Sequence, residues 1–451
     1  MIFSSFIFVF GFLPLLVLCY FISPKKMKNY VLLIFSLFFY FWSSPLYALL
    51  LLVTVIGNYW AAIAIAKYEK RLILILAVSG NLLPLIYFKY FNFLITIIND
   101  VFQGRIAVIN VLLPVGISFY TFQILSYLFD VYRKEVEVEK DFFKLLLYVC
   151  LFPQLMAGPI VRYRDLSYEL SERETSFATV AAGLERFIYG LAKKMILANH
   201  LGQLADIIFD LSSLTTDIAW LGAVAYTLQI YFDFSAYSDM AIGLAKIFGF
   251  NYLENFNYPY IAKSITDFWR RWHISLSMWF RDYVYIPLGG KRRRQILNLT
   301  IVWFLTGLWH GAAFSFLLWG LYFLVFLLLE KYLLKIDKLP IINHLYTLFV
   351  VIISWVIFRS GSISGCMAYL KVMFVPTFKS FDWVIIYLQS YYPYLLGGLL
   401  LSTPFYPWFL EKVKDNCFLQ IMKYVCLLIL FVVTVAFMTR STYNAFIYFR
   451  F

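Results

Sequence analysis

Only four histidines occur among the 451 residues, so each can be weighed as a proton carrier. His310 sits between Trp309 and Gly311, deep in the apolar run FLTGLWHGAAFSFLLWG. An ionisable side chain at membrane depth is costly to keep and is a candidate for function by default. Gly307 and Gly311 beside it point to a site, because a residue without a side chain lets a ligand or a second backbone approach closely. A structural histidine bonded to a carbonyl is the other reading of His310, and the residues alone leave both open. His273 lies in SITDFWRRWHISLSMWFRDYVYIPLGGKRRR. Read as one helix, this segment gathers Ile265, Phe268, Trp272, Leu276, Trp279 and Tyr283 into an apolar stripe. Asp267, Arg270, Arg271, Arg281 and Asp282 fall opposite, and His273 falls at the border. An interfacial helix with snorkelling arginines accounts for most of this pattern, though not for a histidine at its edge. His200, after the Lys193-Lys194 pair, and His344, after Pro340, occupy ordinary interfacial positions.

Two further segments concentrate polar groups. LQIYFDFSAYSDMAIGLAKIFGF sets Asp233, Ser235, Ser238 and Asp239 in an otherwise apolar helix. About 600° of helical rotation separates the two aspartates, so they face different directions and form no acid–base dyad. Each is expected to bond a neighbouring helix or to line a cavity separately. PQLMAGPIVRYRDL combines Gly158, Pro159, Arg162 and Arg164 in a bent basic entry, suited to a phosphate or equally to a lipid headgroup. No Ser/His/Asp signature, phosphate-binding glycine loop, dinucleotide fingerprint or metal-ligand spacing is found. Any catalysis would therefore rest on histidine as a general base beside a reactive thioester.

The elements that must hold these groups are membrane helices. A soluble domain carries about 45–50% apolar and about 25% charged residues; this chain has 63% and 14%. Apolar stretches of about 20 residues recur from end to end, the length a helix needs to cross the hydrocarbon core. Alternating segments of barrel type are absent, so the chain reads as an all-α polytopic membrane protein. The opening MIFSSFIFVFGFLPLLVLCYF lacks a basic n-region and a cleavage site and reads as a retained first helix. Lys25, Lys26 and Lys28, then Lys67, Lys70 and Arg71, mark cytoplasmic loops, and a hairpin from Tyr30 to Ala66 turns at Ser43-Ser44-Pro45 between them. Leu72–Ile98 crosses next, interrupted by Pro84 and Lys89, and Leu112–Phe129 returns. From Phe142 to Leu299 the apolar segments are short and broken by charge, proline and glycine. Phe142–Met156, Phe187–His200 and Ile265–Tyr285 read there as amphipathic or re-entrant. Plain segments resume at Thr300–Trp309, Phe314–Leu329, Leu345–Phe358, Ile386–Leu401 and Phe418–Phe437. The sum is about eleven spans plus partial helices in a single domain, residues 1–451. The net charge of +13 fits loops facing anionic membrane lipid and does not call for nucleic acid. Five scattered cysteines read as small buried hydrophobes, without a disulfide framework.

Five segments, in this order, resemble the membrane-bound O-acyltransferase family, in the bacterial branch of alginate and peptidoglycan O-acetyltransferases and of the D-alanyl transferase of teichoic acids. They are PQLMAGPIVRYRDL, YFDFSAYSDMAIGLAKIFGF, DFWRRWHISLSMWFRDYVYIPLGG, LTGLWHGAAFSFLLWG and the terminal NAFIYFRF, and they reach from Pro153 to Phe451. The N-terminal helices match in hydropathy only, and Ala445 stands where relatives often have proline. The resemblance implies helices around a central tunnel, with His310 as the catalytic histidine and His273 as the second histidine of this branch. Trp309, Gly311, Trp272, Arg281, Asp282, Asp233, Asp239 and Ser238 are then expected along the tunnel, with Arg162, Arg164, Lys291 and Arg292 at the phosphates of the acyl donor. It implies acetyl-CoA as a cytosolic donor substrate with no bound cofactor, and an acceptor hydroxyl arriving from outside. A periplasmic SGNH-hydrolase-like acetyltransferase would be the partner, and the bacterial cytoplasmic membrane the location. The expected product is an O-acetylated extracytoplasmic polysaccharide, peptidoglycan or alginate-like. The alternatives are a D-alanyl transferase fed by a carrier protein, and a transporter or flippase in which His310 would be structural or relay protons.

Overall fold

The structure, a computed structural model, describes all residues except 110, 335–339, 378–381, 414–415, 441–442 and 444–451; the NAFIYFRF motif lies outside the described residues. Among the described residues every regular element is helical. The chain divides into two compact units, Met1–Leu184 with Ala241–Leu253, and Glu185–Met240 with Glu254–Phe451.

The first unit opens with a π-turn, Ile7–Phe12, that runs on into the helix Leu13–Ile22. The hairpin expected next is present. Helix Lys28–Ser43 ends where Ser44 leaves the helical region at φ −152°, and Pro45 restarts helix Pro45–Tyr68 with the φ it is built for. Helix Arg71–Leu85 carries Pro84 in its last turn, is followed by the π-turn Ile86–Tyr90, and continues as Phe91–Phe102. Asn58 and Asn81 tie Pro45–Tyr68 to Arg71–Leu85, each amide donating to the other at 2.9 and 2.7 Å. Such a closed pair leaves few unsatisfied polar atoms to face lipid. Phe3, Phe8, Phe12, Phe39 and Phe152 form an aromatic core, with ring centroids 5.0–6.2 Å apart.

The second unit holds the Trp-His-Gly segment. Helices Gln295–His310 and Phe314–Tyr332 form a tight hairpin whose crossing depends on two glycines. A Cβ on Gly307 would lie 2.5 Å from the Phe316 carbonyl oxygen, and one on Gly320 would collide with the Trp303 carbonyl. Gly307 therefore admits a second backbone, the bland half of the sequence expectation for that residue. Helix Pro340–Arg359 packs against this hairpin and is half buried, whereas Cys417–Arg440 is 11% buried and offers most of its surface to lipid.

Six helices among the described residues are long and apolar enough to span: Pro45–Tyr68, Arg71–Phe102, Phe314–Tyr332, Pro340–Arg359, Trp383–Leu401 and Cys417–Arg440. The chain is thus a multi-pass membrane protein. Other expected spans are shorter or interrupted, among them the 16-residue helices Lys28–Ser43, Ile117–Tyr132 and Gln295–His310. The segment Ile265–Tyr285 is not one amphipathic helix. It is helix Ile265–Arg271, a break at Trp272-His273, helix Ile274–Phe280 and the π-turn Arg281–Tyr285. The cause lies outside its own periodicity, in the loop that contains Asn255.

Candidate active site

His310 is the last residue of helix Gln295–His310, and Gly311 ends the helix in an extended conformation. Its side chain is 7% exposed. The imidazole stands edge-on to three rings, Trp309 at 4.9 Å, Trp319 at 4.9 Å and Phe358 at 5.2 Å between centroids. Trp319 belongs to Phe314–Tyr332 and Phe358 to Pro340–Arg359, so three helices enclose the ring. Behind them, Trp319 meets Trp269 at 5.7 Å and Trp355 at 6.1 Å, and Trp355 meets Trp272 at 4.7 Å. Such an enclosure excludes bulk water and strengthens whatever electrostatic interactions form inside it.

The same cluster brings the two candidate histidines onto one tryptophan. His273 lies 5.7 Å from the Trp309 ring and 4.6 Å, edge-on, from Phe234 of the long helix Thr216–Ile247. It is fully buried, and its backbone adopts φ +43°, a left-handed conformation rare for a residue with a side chain. That turn ends helix Ile265–Arg271 and starts Ile274–Phe280. Asn255 anchors it: its carbonyl accepts from Ile274 N at 3.0 Å, and its Oδ1 lies 3.1 Å from His273 Nδ1. Ser275 donates to the same Oδ1 through its backbone N–H at 3.3 Å and its hydroxyl at 2.9 Å. The Asn255 amide nitrogen donates to Ser238 Oγ at 3.0 Å, which joins Ser238 to the His273 network. Sequence periodicity missed Asn255, Ser275, Trp319 and Phe358. The one clue to Asn255 was its place in ENFNYPY, where asparagine and proline favour a turn over a helix.

The aspartates each hold their own cation. Asp233 pairs with Lys194 at 2.5 Å, both almost wholly buried, and Asp239 pairs with Lys193 at 2.7 Å and Arg186 at 2.9 Å. Arg186 also holds Glu254, next to Asn255, at 2.5 Å. Adjacent lysines on one turn thus meet aspartates six positions apart, as their different headings on the helix require. Arg281 and Asp282 pair with each other at 2.7 Å on the π-turn, with Arg281 more than half exposed.

The basic residues divide by environment. In the first unit Arg162 is buried and donates to both oxygens of Asp165, at 2.7 and 3.0 Å. Arg164 in the same unit holds Glu135 at 2.6 Å and approaches Asp130 at 3.9 Å. In the second unit Lys291 and Arg292 are exposed in a turn. The remaining histidines sit on carbonyls: His200 Nδ1 is 2.8 Å from the Ile196 oxygen and its ring stacks on Tyr394, while His344 Nδ1 is 3.1 Å from the Ala262 oxygen.

Comparison with known proteins gives a consistent result. The family model described as MBOAT, membrane-bound O-acyltransferase family, matches residues 37–370. A probable alginate O-acetylase AlgI from Pseudomonas aeruginosa is 42% identical over 390 residues, covering 83% of this chain and 75% of that protein. A peptidoglycan O-acetyltransferase from Helicobacter pylori is 34% identical over 421 residues, covering 83% and 80%. A teichoic acid D-alanyltransferase from Bacillus subtilis is 29% identical over 278 residues, covering 58% and 69%.

Proposed function

We propose that this chain, which belongs to the membrane-bound O-acyltransferase family and is an O-acyltransferase, moves acetyl from cytosolic acetyl-CoA toward hydroxyls of an extracytoplasmic polysaccharide. The observation that carries this reading is the pair of buried imidazoles, His310 and His273, both packed against Trp309 in an aromatic enclosure. In the scheme, neutral His310 removes the hydroxyl proton as the oxygen attacks the thioester carbonyl. The carbon–sulfur bond then breaks, and the thiolate of CoA takes that proton back as it leaves. General-base assistance of this kind contributes about 10²–10⁴-fold.

The exposed Lys291 and Arg292 are suited to steer the phosphates of the donor. In the first unit, Arg162 and Arg164 are already held by Asp165 and Glu135, so either would meet a phosphate only by sharing or exchanging that carboxylate. A site open to both sides of the cytoplasmic membrane would pass acetyl outward while CoA stays inside, and a periplasmic SGNH-hydrolase-like protein is the acceptor we expect. Relatives named for O-acetylation share 34–42% identity over more than four fifths of the chain, against 29% over 58% for the D-alanyltransferase; this favours acetyl.

The test is donor choice by the purified, reconstituted protein, supplied with an acceptor glycan and the partner. Release of CoA from acetyl-CoA with label in the glycan supports the reading. Use of a D-alanylated carrier protein in its place assigns the chain to D-alanylation, and transport of a solute without acyl transfer would make it a transporter.

A further inference from the structure

The hydrogen bonds around Asn255 determine which nitrogen of His273 holds its proton. A backbone N–H can only donate, so the side-chain atom facing Ser275 N at 3.3 Å is the Asn255 oxygen, and the amide nitrogen is the one that reaches Ser238 Oγ at 3.0 Å. That oxygen lies 3.1 Å from His273 Nδ1 and offers no hydrogen, so Nδ1 must supply it. In a neutral imidazole the lone pair then lies on Nε2. His273 Nε2 is buried and has no hydrogen-bond partner among the described residues. A buried acceptor left in this state costs about 1–3 kcal/mol unless something fills it. The surrounding backbone is also strained on purpose: the left-handed turn at His273 is held by Asn255 O to Ile274 N at 3.0 Å and by Asn257 N to Arg271 O at 2.9 Å.

We infer that Asn255 is a positioning residue, whose amide oxygen locks His273 as the Nδ1–H tautomer and leaves Nε2 as a bare acceptor for a substrate proton. The inference rests on the proposed acyl transfer with His310 as the base, and it assigns Nε2 a second hydroxyl of the acceptor substrate, distinct from the one that His310 deprotonates. The bond that His273 makes on one side sets the chemistry available on the other, as it does when histidine serves as a general base. Ser275 completes the lock, since its two bonds keep the Asn255 amide from turning its nitrogen toward the ring.

The direct test is nitrogen NMR of the intact protein labelled at histidine. With only four histidines in the sequence, His273→Gln identifies the resonance. A protonated Nδ1 and a bare Nε2 are expected; the opposite tautomer overturns the inference. In kinetics, Asn255→Ala should lower kcat at least about tenfold with KM for acetyl-CoA changed less than about threefold. Asn255→Asp, which retains the acceptor oxygen, should recover most of that loss. Wild-type kcat in Asn255→Ala, or a change confined to KM, overturns it, and if that variant fails to fold the NMR result on the wild type decides. Full activity in His273→Ala together with a protonated Nδ1 would remove the proposed role of His273 and leave the tautomer assignment standing, so the two failures are separable.

Discussion

Replacing Gly307 by alanine would show how closely catalysis depends on the hairpin that carries His310. The added Cβ would lie 2.5 Å from the Phe316 carbonyl oxygen, 3.2 Å from its carbon and 3.3 Å from Leu317 Cα. All three are backbone atoms, so no rotamer change can make room. Ordinary contact begins at 3.4 Å, and helices Gln295–His310 and Phe314–Tyr332 must therefore part by about 0.9 Å. Overpacking of this kind costs about 1–3 kcal/mol. His310 lies one turn beyond Gly307 and packs on Trp319 of the opposing helix, so the same displacement moves the imidazole relative to its enclosure. A misplacement of about 1 Å can cost about 10²-fold in rate. The assay is acyl transfer by the detergent-solubilised variant beside its thermal unfolding. Gly57→Ala and Gly80→Ala serve as controls, because a Cβ at either would meet no atom within 4 Å. Both controls should match the wild type, while Gly307→Ala should lose stability and most of its rate. A Gly307→Ala protein with wild-type unfolding temperature and wild-type transfer would refute the close approach of the two backbones.

The buried Lys194–Asp233 pair should behave as a unit. Asp233→Ala takes the carboxylate away from a buried ammonium and should destabilise by about 3–5 kcal/mol, whereas replacing both partners by Met and Leu should be neutral or stabilising. A double-mutant cycle on thermal unfolding reads the coupling, and additive single effects would show that the pair is not formed. Asn58→Leu in the Asn58–Asn81 pair should cost about 0.6 kcal/mol, and no more than about 1.7, since amides in membrane helices find substitute partners. A loss of several kcal/mol in the same unfolding assay would contradict that range.

What could be read from the sequence is what depends on near neighbours along the chain. Ser44-Pro45 ends one helix and starts the next, as proline geometry requires. Trp309-His310-Gly311 stands at a helix terminus inside apolar sequence, where the missing side chain of Gly311 leaves room for the Phe316 ring. The aspartates at 233 and 239 point apart, and each found its own lysine. What stayed hidden depends on distant partners. A helical wheel extends Ile265–Tyr285 through His273 because its period is intact, yet Asn255, 18 positions earlier, breaks it by binding both Ile274 N and the imidazole. Arg164 reads as part of a basic entry for a phosphate or a lipid headgroup, and only the fold brings Glu135, 29 positions earlier in the chain, onto it. Gly307 was open to a ligand or to a backbone, and only the packing of Phe316 decides for the backbone. The expectation of about eleven spans counted apolar length alone. Among the described residues six helices meet the length and composition of a span, and other apolar stretches form shorter or interrupted helices, among them those that build the site.

The central claim is that His310 takes the proton of the attacking hydroxyl, and one measurement bears on it most directly. His310→Ala, shown by size-exclusion profile and unfolding temperature to be folded, is supplied with labelled acetyl-CoA, acceptor glycan and partner. Labelling of the glycan is expected to fall by at least about 10²-fold. Labelling at the wild-type rate would contradict it.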